Sequence, residues 1–251
     1  MKERIQKVLA RAGVAARRKV EEMVLDGRVC VNDRIVKRLP VMIDPETDRV
    51  TVDGETIRLS AGKGKGSRLM YILLNKPSGV YSTNVAQGEQ VRAIDLLPPD
   101  LPGRIYPVGQ LDAESKGLLL LTNDGELTNQ LTHPRYGVPK TYRAVVDGFV
   151  EERIAGGFEK GCRVKVLRRL REKSVLEITL FEGRNYEIRR TLAKMGHKVR
   201  DLTRVRIGPL TLEGLNTGES RLLSKSEVRQ LKEWKSGAAR VTPSAPVNPS
   251  T

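Results

Sequence analysis

Two hydrophobic periodicities alternate in the first part of the chain. Residues 4–13 and 16–27 place apolar side chains at helical spacing, and each segment ends at a glycine. Residues 28–36 and 48–57 instead alternate apolar and polar positions, the first around an Asn-Asp turn. The pattern predicts two helices followed by short strands, forming a separate small unit over residues 1–60.

The pattern from residue 69 to 235 is richer in strands than in helices. The segments that predict strands are 69–80, 117–124, 141–150, 163–170, 173–181 and 204–212. Helical spacing is found in 126–133, 185–196 and 224–234. For the first of these, Asp124 or Asn123 is a candidate helix cap, with a hairpin as the competing interpretation. Strands in sequential runs with few helices favour the α+β class: a small α/β module, then a mixed, mostly antiparallel sheet flanked by helices.

Two segments have the composition of unstructured chain. AGKGKGSR, residues 61–68, combines glycine and serine with solvated lysines, and it predicts a flexible linker. The small, polar and proline-rich residues 236–251 predict a disordered tail.

The net charge of the chain indicates the kind of partner that it binds. The chain has 45 Lys and Arg against 30 Asp and Glu, a formal net charge of +15, and a pI near 10.0. Such an excess favours a polyanionic partner, with nucleic acid first. Aromatic residues are only 4% of the chain, too few for a surface that stacks many bases. Cations gather on the two N-terminal helices and the turn after them, where they are candidate RNA-phosphate contacts: Lys7, Arg11, Arg17, Arg18, Lys19 and Arg28.

Other residue types exclude several classes of function. Cys30 and Cys162 form no CxxC motif, which favours a reducing cytosol, and His133 and His197 lack neighbours at metal-ligand spacing. No secretory signal or apolar run of membrane-spanning length is present. We therefore expect a soluble cytoplasmic protein that has no metal, no cofactor and no membrane partner.

Three polar groups of residues are not needed by the core. Asp112 precedes the apolar run Leu118–Leu121, Lys140–Arg143 opens a strand, and Glu182–Arg190 leads into a helix. Arg189 follows an inward-facing isoleucine, so it flanks the buried side of that helix. A carboxylate near a core needs a partner or a use, and the sequence predicts an ion pair between Asp112 and Arg189.

The motifs that contain these groups resemble a known family. LLNKPSGV, GQLDAESKGLLLLTNDGELTNQLTHP, KTYRAVV, EGRNYEIRRTLAKMGHKV and RVRIGPLTL occur in the order found in bacterial ribosomal pseudouridine synthases of the small-subunit synthase A and large-subunit synthase B type. RIQKVLARAGVAARRKVEEMVLDGRVCVN is similar to the alpha-L RNA-binding module of such enzymes. The resemblance covers all but the linker and the tail.

The resemblance implies that a uridine of ribosomal RNA is isomerised to pseudouridine. Asp112 would be the nucleophile, attacking either C1′ of the ribose or C6 of the base. Tyr142 would stack on the flipped-out base and assist proton transfer at C5, and Arg189 would keep Asp112 ionised and oriented. The expected partner is ribosomal RNA or an assembling subunit, bound by a monomer. Similarity of residues 182–190 to the synthase B type favours large-subunit RNA over small-subunit RNA.

Further residues take supporting roles under this resemblance. Lys76, Lys140, Arg184 and Arg190 would contact RNA phosphates. Gln110 stands where the family usually has arginine, and it would hydrogen-bond RNA without adding charge. Lys116 also departs from the usual residue, and Ala16 replaces a helix-capping serine, a change that costs about 1 kcal/mol where nothing else caps the helix. Leu210 matches a leucine that packs beneath the active-site ring, or it is an ordinary core residue.

Rival functions share part of this evidence. A non-catalytic ribosome-assembly factor would use the same basic surfaces but needs no nucleophile. A glycoside or nucleoside hydrolase needs a second carboxylate across the bond, and the nearest acid is Glu114. A DNA-binding role shares the charge but lacks a groove-reading helix arrangement.

Overall fold

The computed structural model describes residues 1–59, 68–86, 88–102, 104–158, 162–181 and 187–234. The chain divides into two compact units. The first comprises Met1–Leu69 with Pro102–Arg104, and the second comprises Met70–Leu101 and the described residues from Ile105 onward. Arg184, nearly all of the predicted linker and the whole predicted tail lie outside the described residues.

The first unit packs two helices with short antiparallel strands. Its elements are β1 (Glu3–Arg4), α1 (Ile5–Arg11), α2 (Arg17–Leu25), β2 (Val29–Val31), β3 (Arg34–Val36), β4 (Met42–Ile43), β5 (Val50–Val52) and β6 (Glu55–Ile57). Strands β3-β2-β5-β6 form one sheet, and β1 pairs with β4. The Asn-Asp turn between β2 and β3 has φ of 50° and 64°, the left-handed geometry of a tight hairpin. The predicted apolar helix faces form the core.

The second unit is built on a nine-stranded mixed sheet. Its strands are β7 (Tyr71–Lys76), β8 (Tyr106–Pro107), β9 (Lys116–Thr122), β10 (Lys140–Asp147), β11 (Cys162–Arg169), β12 (Lys173–Leu180), β13 (Val199–Ile207), β14 (Leu210–Thr211) and β15 (Ser220–Leu222). Its helices are α3 (Gly125–Thr132), α4 (Glu187–Lys194) and α5 (Lys225–Lys232). The main order is β11-β12-β10-β13-β9-β7-β15, with β14 beside β13 and β8 beside β9. The predicted α+β class and mixed sheet are confirmed.

The leucine run of β9 is buried on both faces of this sheet. Leu118 and Leu120 pack in a cluster that includes residues of α3 and α5, whereas Leu119 and Leu121 pack in a cluster that contains Leu111. This two-sided burial explains why the run shows no alternation. The strand is a fixed element directly after the segment that holds Asp112.

The parallel contact between β9 and β13 requires glycine. Gly117 pairs with Arg204 at φ +104°, and a Cβ atom there would lie 2.3 Å from the Arg204 carbonyl oxygen. The other main-order neighbours in this sheet run antiparallel. The two strands therefore approach each other as closely as they do because position 117 lacks a side chain.

Asp124 decides between the helix and the hairpin that the sequence left open. Its carboxylate accepts hydrogen bonds from the backbone N–H groups of Glu126 and Leu127 at 3.0 Å each, which caps α3. Tyr71 donates its hydroxyl to the same carboxylate at 2.7 Å, and Lys232 lies 3.2 Å away. The helical interpretation is confirmed.

Candidate active site

Asp112 lies in a short loop that is fixed from several sides. Next to it, Leu111 is buried, and its backbone exchanges two hydrogen bonds with the Ser82 hydroxyl, at 2.8 and 3.2 Å. The Ser115 N–H donates to the Asp112 carbonyl at 3.0 Å, which closes a turn immediately before β9. The half-buried Asp112 side chain thus projects from a constrained backbone.

Lys76 holds this loop from the end of β7. The side chain is fully buried, and its Nζ donates to the carbonyls of Pro77, Val80 and Ala113 at 3.0, 2.8 and 3.1 Å. Burial lowers the pKa of Lys76 to about 8, with the nearby Arg204 guanidinium adding to the shift. The predicted phosphate contact is therefore wrong, because a buried ammonium bonded to three carbonyls is not available to RNA.

Arg204 holds the same loop from β13, and the sequence analysis did not identify it. The side chain is 1% exposed, its Nε donates to the Leu118 carbonyl at 2.7 Å, and its Nη1 donates to the Gln110 carbonyl at 3.3 Å. These acceptors flank Asp112 in the chain. The sequence does contain a pattern that indicates the burial of Arg204. This residue follows Leu202 by two positions in a strand, so both side chains point to the same, inward-facing side.

The charges around Asp112 act on it in opposite directions. Burial raises the pKa of this carboxyl above its ordinary value, Arg189, Lys76 and Arg204 oppose the increase, and Glu114 adds to it. The pKa is raised overall because desolvation outweighs the three cations, which limit the increase and so help the carboxylate to stay ionised.

Arg189 lies near Asp112 without pairing with it directly. Its Nη1 is 3.9 Å from a Glu114 carboxylate oxygen and donates to the Val199 carbonyl at 3.4 Å. The ion pairs formed within the described part of the chain do not include the predicted Asp112–Arg189 pair. The buried Nε of Arg189 has no hydrogen-bond partner among the described residues. Arg189 therefore acts on Asp112 through space, by lowering its pKa.

Tyr142 connects the regions that contain Asp112 and Arg189. It is half-buried in β10, opposite Arg204 of β13 and Ile178 of β12. Its ring packs against two apolar clusters, one of which contains Leu111 and the other Ile188. Leu210 belongs to a different cluster, whose described members do not include Tyr142. The structure thus brings Asp112, Tyr142 and Arg189 to one region and assigns Leu210 to the core.

The remaining predicted contacts of the second unit differ in exposure. Lys140 is half-buried, with its Nζ 3.5 Å from the Val138 carbonyl, and burial lowers its pKa to about 8. The Gln110 and Arg190 side chains are exposed. Lys116, the other departure from the family pattern, forms a 2.8 Å ion pair with Asp201.

In the first unit, four of the six candidate RNA contacts already have an acidic partner. Lys19 lies 2.8 Å from the Glu22 carboxylate, and Arg28 lies 2.6 Å from the Asp53 carboxylate. Lys7 and Arg11 lie 2.9 and 3.0 Å from the Glu3 carboxylate, and together they lower the pKa of Glu3 to about 2. Arg17 and Arg18 are exposed at the start of α2. Ala16 precedes that helix with no side-chain cap, as the sequence predicted.

The described residues contain no group of three or more His, Cys, Asp or Glu side chains that could hold a metal ion. A separate search of the same residues found no helix long and apolar enough to cross a membrane.

Comparison with known proteins identifies the family. The RNA pseudouridylate synthase model matches residues 70–194, and the S4 domain model matches residues 3–48. A protein of Aquifex aeolicus named as an uncharacterized RNA pseudouridine synthase is 42% identical over 92% of this chain and 94% of its own length. This chain belongs to the RNA pseudouridylate synthase family.

Two further comparisons agree with this assignment. Ribosomal large subunit pseudouridine synthase B of Bacillus subtilis is 38% identical over 92% of this chain and 96% of its own. A crystal structure of a pseudouridylate synthase superposes with a TM-score of 0.63 at 27% identity, over 91% of this chain and 99% of that one. The resemblance read from the motifs is confirmed, and the chain is a pseudouridine synthase with an N-terminal S4 domain.

Proposed function

We propose that this synthase isomerises a uridine of ribosomal RNA and that Asp112 is its nucleophile. The single observation that supports Asp112 best is the environment of its carboxylate, which is partly desolvated and surrounded by Arg189, Lys76 and Arg204. Two of these cations also hold the loop backbone on either side of it. A nucleophile needs this combination of fixed position and retained charge.

In the reaction, the C1′–N1 bond of the uridine breaks and a C1′–C5 bond forms. Asp112 attacks C1′ or C6, and the bond that it forms breaks again by the time the C1′–C5 bond is complete. The C5 proton is lost and N1 gains a proton, so that the product is an isomer and the carboxylate is regenerated. Arg189 stabilises the ionised carboxylate before attack. The half-buried ring of Tyr142 stacks on the flipped-out base, which offsets part of an unstacking cost of roughly a few kcal/mol.

The proposed target is large-subunit RNA. The support is the 38% identity to the Bacillus subtilis protein named for the large subunit, together with the similarity of residues 182–190 to that type. The side chains of Arg17, Arg18, Gln110 and Arg190 are exposed, and we propose these residues as RNA contacts. We propose that the enzyme acts as a monomer in the cytoplasm.

The test is pseudouridine mapping by carbodiimide-dependent reverse-transcription stops in cells with and without the gene. We expect one stop in large-subunit RNA to disappear on deletion, to return with the wild-type gene, and to stay absent with Asp112→Asn. Purified Asp112→Asn should bind the target RNA with nearly unchanged affinity. A stop restored by Asp112→Asn would reject Asp112 as the nucleophile, and disappearance of a stop in small-subunit RNA would reject the proposed target.

A further inference from the structure

One face of the second unit's sheet has a set of cations that the proposed reaction does not use. In β10, Tyr142, Ala144 and Val146 face the apolar cluster beside α4, so Arg143 points to the opposite face. The strand register then fixes which residues of the neighbouring strands share that face.

Two adjacent rows of side chains cross β11, β12, β10 and β13. The first row is Arg163, Thr179, Thr141 and Arg206, and the second is Lys165, Glu177, Arg143 and Thr203. A hydrogen bond of 3.0 Å between the hydroxyls of Thr141 and Thr179 confirms that neighbours in the first row lie side by side. The four cations Arg143, Arg163, Lys165 and Arg206 are all exposed, and we refer to them as the four-cation patch.

The patch is strongly positive because its cations lack acidic partners. None of the four takes part in the ion pairs formed within 4 Å among the described residues. Glu177 lies between Lys165 and Arg143 in the register, but it forms no such pair with either of them. Asp201, the nearest acid on β13, is held by Lys116. The four cations therefore outnumber the one unpaired carboxylate among them.

The spacing and the chemistry of the patch fit a nucleic-acid backbone. The rows are about 7 Å apart along the strands, and Arg163 and Arg206 are about 14 Å apart across three strand spacings. The partly exposed Thr179 and Thr203 lie among the cations, and their hydroxyls suit phosphate oxygens and ribose hydroxyls, whereas Thr141 is buried. The aromatic ring beside the patch, Phe181, is already covered by the Arg163 guanidinium at 5.1 Å. As far as its described residues show, the patch has no open ring on which unpaired bases could stack, which favours a duplex over a single strand.

We propose that the four-cation patch is a second RNA-binding surface, which holds the phosphate backbone of a double-stranded ribosomal RNA segment away from the target uridine. The choice of RNA rests on the proposed function. The patch lies on the sheet face opposite Tyr142, so one duplex segment would bind there while the nucleotide to be modified occupies the other face. The surface would add affinity for large folded RNA without taking part in the chemistry.

The test combines Arg143→Gln, Arg163→Gln, Lys165→Gln and Arg206→Gln in the full chain. A matched control removes the same charge from other exposed cations, by Lys194→Gln, Lys198→Gln, Lys225→Gln and Arg229→Gln. The binding of an RNA duplex without unpaired nucleotides is measured by fluorescence anisotropy over a series of KCl concentrations. Removing one phosphate interaction lowers the slope of log Kd against log salt by roughly 0.7 to 0.9, so the slope of the patch variant should fall by roughly 3. The control should keep the wild-type slope.

Unchanged binding by the patch variant, or an equal decrease in the control, would overturn the proposal. A second readout is pseudouridine formation on a minimal stem-loop that contains the target and on full-length ribosomal RNA. We expect the patch variant to raise KM for the long RNA alone, with kcat unchanged on both substrates. Equal KM values for variant and wild type on both substrates would reject the surface and leave the proposed function intact. Failure of the wild type to form pseudouridine would reject the proposed function, while the duplex assay would still decide on the patch.

Discussion

Gly117→Ala should destabilise the protein far more than its single methyl group suggests. The added Cβ would lie 2.3 Å from the Arg204 carbonyl oxygen and 2.9 Å from the Arg204 nitrogen, whereas ordinary contact begins at 3.4 Å. Strands β9 and β13 would have to separate by about 1 Å where they run parallel. Arg204 would move with β13 and weaken its bonds to the carbonyls on either side of Asp112.

The expected loss has two parts. An alanine at positive φ costs about 1–2 kcal/mol at any open position. The separation of the strands adds about 1 kcal/mol for a backbone hydrogen bond and about 1–3 kcal/mol for buried polar groups of Arg204 left without partners. Gly117→Ala should therefore lower the free energy of unfolding by about 3–6 kcal/mol.

Gly214→Ala is the matched control, because Gly214 has φ +72° and its added Cβ would meet nothing within 4 Å. It should lose only the conformational part. Urea unfolding can be followed by the fluorescence of Trp234, the single tryptophan, which packs against a core cluster that includes Leu118. Equal losses in the two variants would refute the steric explanation, and so would a Gly117→Ala enzyme with wild-type kcat.

Three other substitutions test separate parts of the structure. Lys76→Met should change how stability depends on pH, because the folded protein releases the Lys76 proton near pH 8 and the unfolded chain near 10.5. Between these two pH values, the free energy of unfolding of the wild type should rise by roughly 3 kcal/mol relative to the variant. A difference that does not depend on pH would contradict the buried charge. Asp124→Ala should lower the free energy of unfolding in urea by about 2 kcal/mol, because it removes the α3 cap and the contacts to Tyr71 and Lys232. A decrease no larger than that caused by substitution of an exposed residue would count against the cap. Ala16→Ser should stabilise α2 by about 1 kcal/mol, measured as roughly fivefold slower amide hydrogen exchange in its first turn. Unchanged exchange would mean that the backbone N–H groups of this turn already have hydrogen-bond partners.

Much of the fold was predictable because local patterns determine it. The spacing of apolar residues indicated α1, α2 and most strands of the sheet, and the N-cap chemistry of Asp124 was visible in the sequence itself. The family motifs indicated which residues meet at the site. Pairing at a distance was less predictable, since the contact of Gly117 with Arg204 depends on the parallel register of strands that are far apart in the chain.

The roles of individual cations were the least predictable part of the site. Sequence alone cannot distinguish a lysine exposed to RNA from one that is buried among carbonyls, and Lys76 was misassigned for this reason. Arg204 was overlooked because the inward position that it occupies normally takes an apolar residue. The sequence predicts an Asp112–Arg189 pair, whereas Arg189 lies 3.9 Å from the Glu114 carboxylate, because pairing depends on side-chain geometry that no spacing rule determines.

The junction of β9 and β13 also bears on the order in which the protein folds. Asp112 precedes β9, whereas Tyr142 and Arg189 belong to the part of the sheet around β10 and β13. In the described residues, the strand pairing between the two parts consists of Lys116 with Thr203 and Gly117 with Arg204. These partners are far apart in sequence, so their contact closes a long loop at a large entropic cost, which delays it relative to local hairpins. We therefore expect Asp112, the proposed nucleophile, and the ring proposed to hold its substrate to come together only when this contact forms, so that a partly folded chain has no assembled active site with which to modify RNA.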